Sequence, residues 1–149
     1  MGSIKLICIS RIAGCEPVMV ETAEAIPAHG LRGDRYCSNE KQSSRQITLI
    51  ESENIDDFNR TTGANLAYNL FRRNLVTEGV RLNDLVGHRL ILGEVHLHCH
   101  DLCEPCRSLQ EKLKIPDLVK RLVHKGGVCC EILTRGKIKV GDTLSPLLY

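Results

Sequence analysis

Residues 85–100 read Leu-Val-Gly-His-Arg-Leu-Ile-Leu-Gly-Glu-Val-His-Leu-His-Cys-His, and this stretch is the clearest indication of the fold. After the glycine at position 93, each apolar or thiol side chain is followed by a histidine. A two-residue period is typical of a β-strand with one buried face, and a glycine between two apolar runs is typical of a hairpin. The stretch therefore predicts two strands, at 85–92 and 95–100, that pair through a short turn.

Short apolar runs outside this hairpin predict further strands at about 4–10, 18–26, 47–50, 128–134 and 143–147, with another before the turn at Gly79. Helical patterns predict an acidic helix of about ten residues opening at 51–53, with Ser52 as N-cap and Gly63 as its end, and two more helices at 105–113 and 116–124. About seven short strands with few helices favour a strongly curved, mostly antiparallel β-barrel with short helical excursions. The 149 residues contain no internal repeat or linker, so we expect a single domain over residues 1–149.

The amino-acid composition excludes several classes of function. The chain is 42% hydrophobic and 26% charged, which is typical of a folded soluble domain. It has no apolar run near the roughly 18 residues of a membrane span and no secretory signal, so we expect a cytoplasmic protein without membrane contact. A net charge of +2, three Tyr, two Phe and no Trp argue against a module that binds nucleic acid through a basic surface or stacked bases.

The chain has eight cysteines, and with no sign of export we expect them to be reduced thiols. Most lie in strand-like or loop contexts without the spacing of metal ligands, and we interpret them as buried or incidental: Cys8, Cys15, Cys37, Cys129 and Cys130. The other three, Cys99, Cys103 and Cys106, are clustered around the end of the predicted hairpin. Any chemistry based on sulfur is therefore expected at that cluster.

Five further segments carry a family resemblance. They are Gly-Leu-Arg-Gly-Asp-Arg-Tyr (30–36), Arg-Gln-Ile-Thr-Leu-Ile (45–50), Arg-Arg-Asn-Leu (72–75), Leu-Cys-Glu-Pro-Cys-Arg-Ser-Leu (102–109), and Gly-Gly-Val-Cys-Cys-Glu-Ile-Leu with Gly-Lys-Ile-Lys-Val-Gly-Asp (126–142). In this order they resemble MOSC domains, the C-terminal domains of molybdenum cofactor sulfurases. The resemblance covers almost the whole chain and implies a β-rich barrel, as the strand pattern does.

The resemblance implies sulfur or molybdenum chemistry at Cys106, which follows proline as the family's cysteine does. In cofactor sulfurases the domain binds the molybdopterin cofactor, and a fused pyridoxal-phosphate desulfurase domain supplies sulfur. In related amidoxime-reducing proteins the matching cysteine ligates molybdenum, and some bacterial members detoxify N-hydroxylated bases. Because this sequence contains no desulfurase or ferredoxin-like domain, we expect a stand-alone sulfurtransferase or molybdenum-dependent oxidoreductase component. Its expected partners are a cysteine desulfurase, which would hold the pyridoxal phosphate, or an electron donor, together with a molybdoenzyme or a small-molecule substrate.

The residues around Cys106 support this role without the family name. Proline is favoured in the first helical turn, so Pro105 predicts that Cys106 lies near a helix N-terminus, where free N–H groups and the helix dipole favour an anion. Arg107 adds positive charge. Both a persulfide carrier and a ligand to a soft metal need a thiolate. We therefore expect Cys106 to be the most reactive of the eight thiols.

A phosphorylated pterin also needs cations and paired hydrogen-bonding groups. Guanidinium groups bind phosphate with two parallel hydrogen bonds, and the family-like segments contain several arginines. We predict that the cofactor-binding residues are Arg32, Arg35, Arg45, Arg73 and Asn74. Ion pairs with neighbouring carboxylates are the alternative for each arginine, and local backbone hydrogen bonds are the alternative for Asn74. Asp34 is interpreted as a structural organiser.

A second class of function stays open, a metal-binding or thiol-redox module. His96, His98 and His100 lie on one face of the predicted strand at a spacing that suits metal ligands. Cys103 and Cys106 form a C-x-x-C pair, which can close a disulfide or supply half of a zinc site. A half-exposed strand explains the histidines equally well.

Overall fold

The computed structural model describes residues 2–12, 15–34, 45–105 and 107–147, with residues 107 and 108 described by their backbone alone. Its strands are β1 (Gly2–Ile9), β2 (Val18–Val20), β3 (Thr22–Ile26), β4 (Gly30–Leu31), β5 (Ile47–Glu51), β6 (Leu75–Glu78), β7 (Arg89–Leu92), β8 (Val95–Leu102), β9 (Val128–Ile132), β10 (Gly136–Lys139) and β11 (Thr143–Pro146). Its α-helices are α1 (Ser52–Thr62), α2 (Arg107–Leu113) and α3 (Leu118–Arg121). Two 3₁₀ helices cover Tyr68–Phe71 and Leu82–Leu85.

Seven strands close into a barrel in the order β1, β11, β7, β8, β9, β5, β6 and back to β1. The predicted hairpin lies in its wall, where β7 and β8 pair antiparallel from Arg89 opposite His98 to Leu92 opposite Val95. The short edge strand β2 adds to β1 outside the closed ring. A mostly β fold built on a curved barrel is therefore confirmed.

One pair of barrel strands runs parallel, which makes the barrel mixed rather than antiparallel. β5 pairs with β6 in parallel, with Leu49 opposite Leu75 and Glu51 opposite Thr77. Parallel neighbours need a crossover connection, and α1 with the first 3₁₀ helix supplies it. As a result, the residues just before β5 and just before β6 lie at the same end of the barrel.

Three predicted elements have different bounds from those expected. The strand at 18–26 is two strands, and the second, β3, forms a small sheet with β4 and β10. The strand at 85–92 begins only at Arg89, because Leu82–Leu85 forms a 3₁₀ helix first. The helix predicted at 116–124 is limited to Leu118–Arg121.

The first helix follows its prediction with one shift in its cap. Gly63 ends α1 in the left-handed conformation (φ 76°), as its position predicted. Ser52 is the first helical residue instead of the N-cap, a place that Glu51 takes with an extended backbone.

The barrel wall separates two apolar clusters. Every barrel strand contributes to the interior one, which includes Ile7, Leu49 and Cys130. The second cluster lies on the outer face of β5 and β6, where Ile50 and Val76 pack against residues of α1, α2 and α3. Aliphatic side chains thus fill the barrel, while the described helices cover the outer face of β5 and β6, where Leu6 of β1 also packs against them.

None of the helices that the structure describes combines the length and the apolar character that a membrane span requires.

Candidate functional site

Two of the predicted arginines contact the segment that follows β8 (residues 103–105, the cysteine segment) on the outer face of the barrel wall. Arg45 lies two residues before β5, and Arg73 lies two residues before β6. The parallel pairing of these strands brings both arginines to one end of the barrel. Cys103 directly follows β8, and its N–H donates to the carbonyl of Gly127 at 2.7 Å, just before β9.

The two guanidinium groups make different contacts. Arg45 Nη2 donates a hydrogen bond to the Sγ atom of Cys103 at 3.5 Å. Arg73 binds backbone instead: its Nε donates to the Gly126 carbonyl at 2.8 Å, and its Nη2 donates to the carbonyls of Cys103 at 2.9 Å and Glu104 at 3.3 Å. Arg45 therefore stabilises a sulfur atom, while Arg73 fixes the chain that carries it.

Cys103 is a thiol held in a setting that favours its thiolate. It is only 2% exposed. A hydrogen bond from Cys129, followed by the positive charges of Arg73 and Arg45, lowers the pKa of Cys103 from 9.0 to about 6 against the opposing effect of burial. The hydrogen bond to Cys103 and burial raise the pKa of Cys129, so that Cys129 is the protonated partner.

Cys129 is the residue that sequence reasoning missed. Its place in a strand-like run predicts an incidental buried thiol, and yet the register of β8 and β9 places it diagonal to Cys103 on the same face. In β9 successive side chains face opposite sides, so Cys130 enters the interior cluster while Cys129 faces outward. The signal in the sequence was the adjacent cysteine pair, which must place one thiol on each face of a strand.

Two glycines let the cysteine segment lie against the wall. A Cβ on Gly126 would meet the Cys103 carbonyl and the Pro105 ring, and a Cβ on Gly127 would meet the Leu49 carbonyl. Gly127 also has a φ of +99°, which side chains disfavour. The pair Gly126-Gly127 is therefore required for the close approach of three backbone segments.

Asn74 connects strands. Its Oδ1 accepts hydrogen bonds from the N–H of Thr48 at 3.0 Å and from the Thr48 hydroxyl at 3.2 Å, and its Nδ2 donates to the Cys8 carbonyl at 3.4 Å. Thr48 is in turn the partner of Cys129 across β5 and β9. The amide thus bonds to groups of β5 and β1 that are distant in sequence, not to the local backbone that was the alternative for it, and it lies one strand away from the two thiols.

The remaining predicted site residues lie elsewhere or outside the described residues. Arg32 Nε lies 2.6 Å from Glu24 Oε1, while the other Glu24 oxygen binds Arg135, so this ion pair belongs to the small sheet. Asp34 is buried and accepts a hydrogen bond from the Ser10 N–H at 2.7 Å, as expected of a structural organiser. Arg35 and Cys106 lie outside the described residues.

The chain next to Cys106 is nevertheless well anchored. Pro105 is buried, and α2 begins at Arg107, so Pro105 precedes the helix instead of opening it as predicted. One carboxylate oxygen of Glu104 accepts a hydrogen bond from the backbone N–H of His124 at 2.7 Å. The other carboxylate oxygen lies 2.8 Å from His124 Nδ1. Residues 103–105 are therefore held from two sides, by Arg73 and by His124.

The histidine strand has a different arrangement from a metal site. Because Leu97 and Cys99 enter the barrel, the three histidines lie on the outer face. His100 Nε2 lies 2.8 Å from Glu131 Oε1. The His98 and His100 rings contact each other edge to face, with 4.4 Å between the ring centroids. Burial and the neighbouring His100 lower the pKa of His98. Over the described ranges, no group of three or more His, Cys, Asp or Glu side chains is placed to hold a metal ion.

A pocket of about 590 Å³ lies at the other end of β5 and β6. Glu51, Glu53, Arg81, His124 and Lys125 contribute charged or titratable side chains to its wall. Glu51 and Glu53 accept hydrogen bonds from the N–H groups of residues 82 and 79, and burial raises the pKa of Glu51. None of the predicted cofactor-binding residues that the structure describes lines this pocket, and His124 connects it to the cysteine segment.

Comparison with known proteins agrees with this architecture. A family model described as MOSC domain matches residues 28–145. The YuaD protein from Bacillus subtilis has a similar structure, with a TM-score of 0.82 at 17% identity over 97% of this chain and 94% of that one. YiiM from Geobacillus stearothermophilus gives a TM-score of 0.81 at 18% identity over 99% of this chain and 76% of that one. YiiM from Escherichia coli gives a TM-score of 0.73 at 18% identity over 99% of this chain and 70% of that one. No curated protein gives a significant sequence match.

Proposed function

This chain belongs to the MOSC domain family, and from that premise we propose that it binds the molybdenum cofactor where Arg45, Arg73 and residues 103–106 meet. Cys106 is the proposed sulfur acceptor or molybdenum ligand. The observation that carries the proposal is the hydrogen bond from Arg45 Nη2 to Cys103 Sγ at 3.5 Å, three residues before Cys106. A guanidinium on sulfur at this point of the chain creates a setting for anionic sulfur.

The residues present fit such a group. Molybdenum is a soft metal that prefers thiolate sulfur, and Cys103 already has a low thiol pKa beside two arginines. The cofactor's phosphate needs cationic donors, and Arg45 is exposed next to the thiol segment. Arg73 contributes by fixing the backbone of Cys103 and Glu104. Arg32, which follows β4, and Arg35 are proposed at the periphery.

When bound, the cofactor supplies a metal centre able to exchange sulfur, oxygen and electrons. The chain's own part is to hold Cys106 as a thiolate on an anchored segment. In sulfur transfer this thiolate attacks the outer sulfur of a persulfide on a partner cysteine desulfurase. A new S–S bond forms at Cys106, and the partner's cysteine leaves as a thiolate. The pyridoxal phosphate of that step belongs to the partner, and a reducing compartment such as the cytoplasm would keep the acceptor thiol free.

The test measures molybdenum and pterin on protein purified without an affinity tag from cells that make the cofactor. Wild type should retain both, or gain one sulfur on Cys106 when incubated with a cysteine desulfurase and cysteine. The Cys106→Ser variant should lose both properties, and the exposed-thiol control Cys15→Ser should keep them. A wild-type protein with no molybdenum, no pterin and no added sulfur contradicts the proposal.

The metal-binding alternative has less support. His100 is paired with Glu131, and the described residues provide no three-ligand group. Zinc or nickel in untagged protein, lost when His98 and His100 are replaced, would favour it over the cofactor.

A further inference from the structure

We propose that Cys103 and Cys129 form a peroxide-reactive dithiol, in which a small peroxide oxidises Cys103 and Cys129 converts the product into an intramolecular disulfide. The inference goes beyond cofactor binding. It uses only described residues and needs neither Cys106 nor a bound ligand.

The geometry brings a nucleophile and its partner into contact. Asp101 lies opposite Cys129 and Leu102 opposite Val128 in the register of β8 and β9, and the Cys103 N–H donates to the Gly127 carbonyl at 2.7 Å. Cys103 and Cys129 therefore occupy diagonal positions on the same face, and the interaction of their thiols lowers the pKa of Cys103. Cys129 is fixed in β9, whereas Cys103 is the first residue after β8. The Cys103 backbone is held by Arg73 and Gly127, so the S–S bond of about 2.05 Å has to form by rotation of the Cys103 side chain.

The positive charges and hydrogen bonds around Cys103 favour its thiolate form, which is the form that peroxides oxidise. Thiolates, not thiols, react with peroxides, and the thiolate of Cys103 receives hydrogen bonds from Cys129 and from Arg45 Nη2. The Arg73 guanidinium, which binds the Cys103 carbonyl at 2.9 Å, adds positive charge. Cys129 keeps its proton until the second step, which suits a resolving thiol.

Burial selects the oxidant. Cys103 and Cys129 are each 2% exposed, too little for a bulky disulfide to reach either sulfur. Hydrogen peroxide is close to water in size and can approach the edge of a buried sulfur. We therefore assign a small peroxide as the oxidant.

The reaction balances in two steps. The Cys103 thiolate attacks one peroxide oxygen, the O–O bond breaks, and hydroxide leaves, so that sulfur is oxidised to a sulfenic acid and peroxide is reduced. Cys129 then attacks that sulfur, an S–S bond forms, and the sulfenic oxygen leaves as water with the thiol proton. The disulfide removes the anion that Arg45 binds.

The interior face provides an internal comparison. Cys99 and Cys130 are opposite each other across β8 and β9 and are both 0% exposed within the apolar interior of the barrel. This pair shares the strands of Cys103 and Cys129 but not their contact with Arg45. It should remain reduced at peroxide levels that convert the outer pair.

Peptide mapping distinguishes the possible links. Trypsin places Cys99, Cys103 and Cys106 in peptide 90–107, and Cys129 and Cys130 in peptide 126–135. Hydrogen peroxide should join the two peptides with the loss of two hydrogens, and dithiothreitol should separate them. Fragment ions between Cys99 and Cys103, on either side of Pro105 and between the adjacent cysteines should assign the link to Cys103 and Cys129 in wild-type protein.

Variants provide the second readout. Cys129→Ser should lose the link and accumulate Cys103 sulfenic acid, trapped by dimedone, while Cys15→Ser should behave as wild type. Arg45→Gln should slow the formation of the link. A link that joins only Cys103 to Cys106 or only Cys99 to Cys130, or oxidation that never includes Cys129, overturns the proposal. The wild-type assignment decides even if a variant fails to fold.

Discussion

The Nη2 atom of Arg45 lies 3.5 Å from the Sγ atom of Cys103 and donates a hydrogen bond to it, although 58 residues separate the two in the sequence. Because β5 and β6 are parallel, Arg73 reaches the same segment and binds the Cys103 carbonyl. A side-chain contact and a backbone contact thus converge on one residue. This convergence stabilises a thiolate at Cys103.

Replacing Arg45 by Gln should raise the Cys103 pKa by about one unit, since a hydrogen bond to a charged group contributes roughly 1.5 kcal/mol. The measurement is the ultraviolet absorbance of thiolate against pH, compared between each protein and its Cys103→Ser counterpart. Arg32→Gln is the matched control, because its guanidinium binds Glu24. Equal titrations of Cys103 in wild type and Arg45→Gln would refute the role of Arg45.

Stability should depend on pH through Cys103. Its folded pKa of about 6 lies below the ordinary 9.0, so the unfolded chain binds more protons between these values. The free energy of unfolding of wild type should therefore rise, relative to Cys103→Ser, as pH increases from about 6 to 9, and this gain is lost as pH falls through 6. The raised pKa of Cys129 has the opposite effect on stability, but only near the upper end of that window, where the unfolded thiol begins to ionise. Urea unfolding at several pH values measures the difference, and parallel pH profiles would contradict it.

Asn74→Ala should destabilise the fold by about 1–3 kcal/mol, because it leaves the N–H of Thr48 and the Cys8 carbonyl without their amide partner. Chemical denaturation gives the difference. Asn65→Ala is the control, since Asn65 is exposed in the loop after α1. Equal stability of the two variants would mean that Asn74 does not support the join between β5 and β6.

Gly126→Ala should push the cysteine segment from the wall, because the added Cβ meets the Cys103 carbonyl and the Pro105 ring. The expected cost is about 1–3 kcal/mol, together with a higher Cys103 pKa as its contacts lengthen. Gly141→Ala is the comparison, since it has φ +94° but open space around its Cβ and should cost only about 1 kcal/mol. A Gly126→Ala protein with an unchanged Cys103 titration would argue against this close packing.

Local patterns predicted most of the barrel. The alternation at 95–100 and the glycine at 93 suffice for the hairpin, because strand period and turn chemistry are properties of neighbouring residues. The parallel pairing of β5 with β6 was not predictable in this way, since a strand has the same period whichever way its neighbour runs. The bounds of β3 and β7 depend on contacts with distant strands.

The candidate site was predictable only in part, because its residues meet through the pairing of strands that are distant in sequence. Arg45 and Arg73 were selected through family-like segments, and the structure places both on Cys103. Arg32 was assigned with them, but its partner Glu24 lies on another strand, which no local pattern indicates. Cys129 was missed because it meets Cys103 through strand pairing across 26 residues of sequence.

The position of molybdenum in crystals of loaded protein shows whether the cofactor binds where Arg45 and Arg73 meet the cysteine segment. Anomalous scattering locates the metal independently of any assumption about its ligands. We expect a single peak bonded to Cys106 sulfur, on the face that presents Arg45 and Cys103. A peak at His96, His98 and His100, or in the pocket beside Glu51 and Lys125, would contradict it.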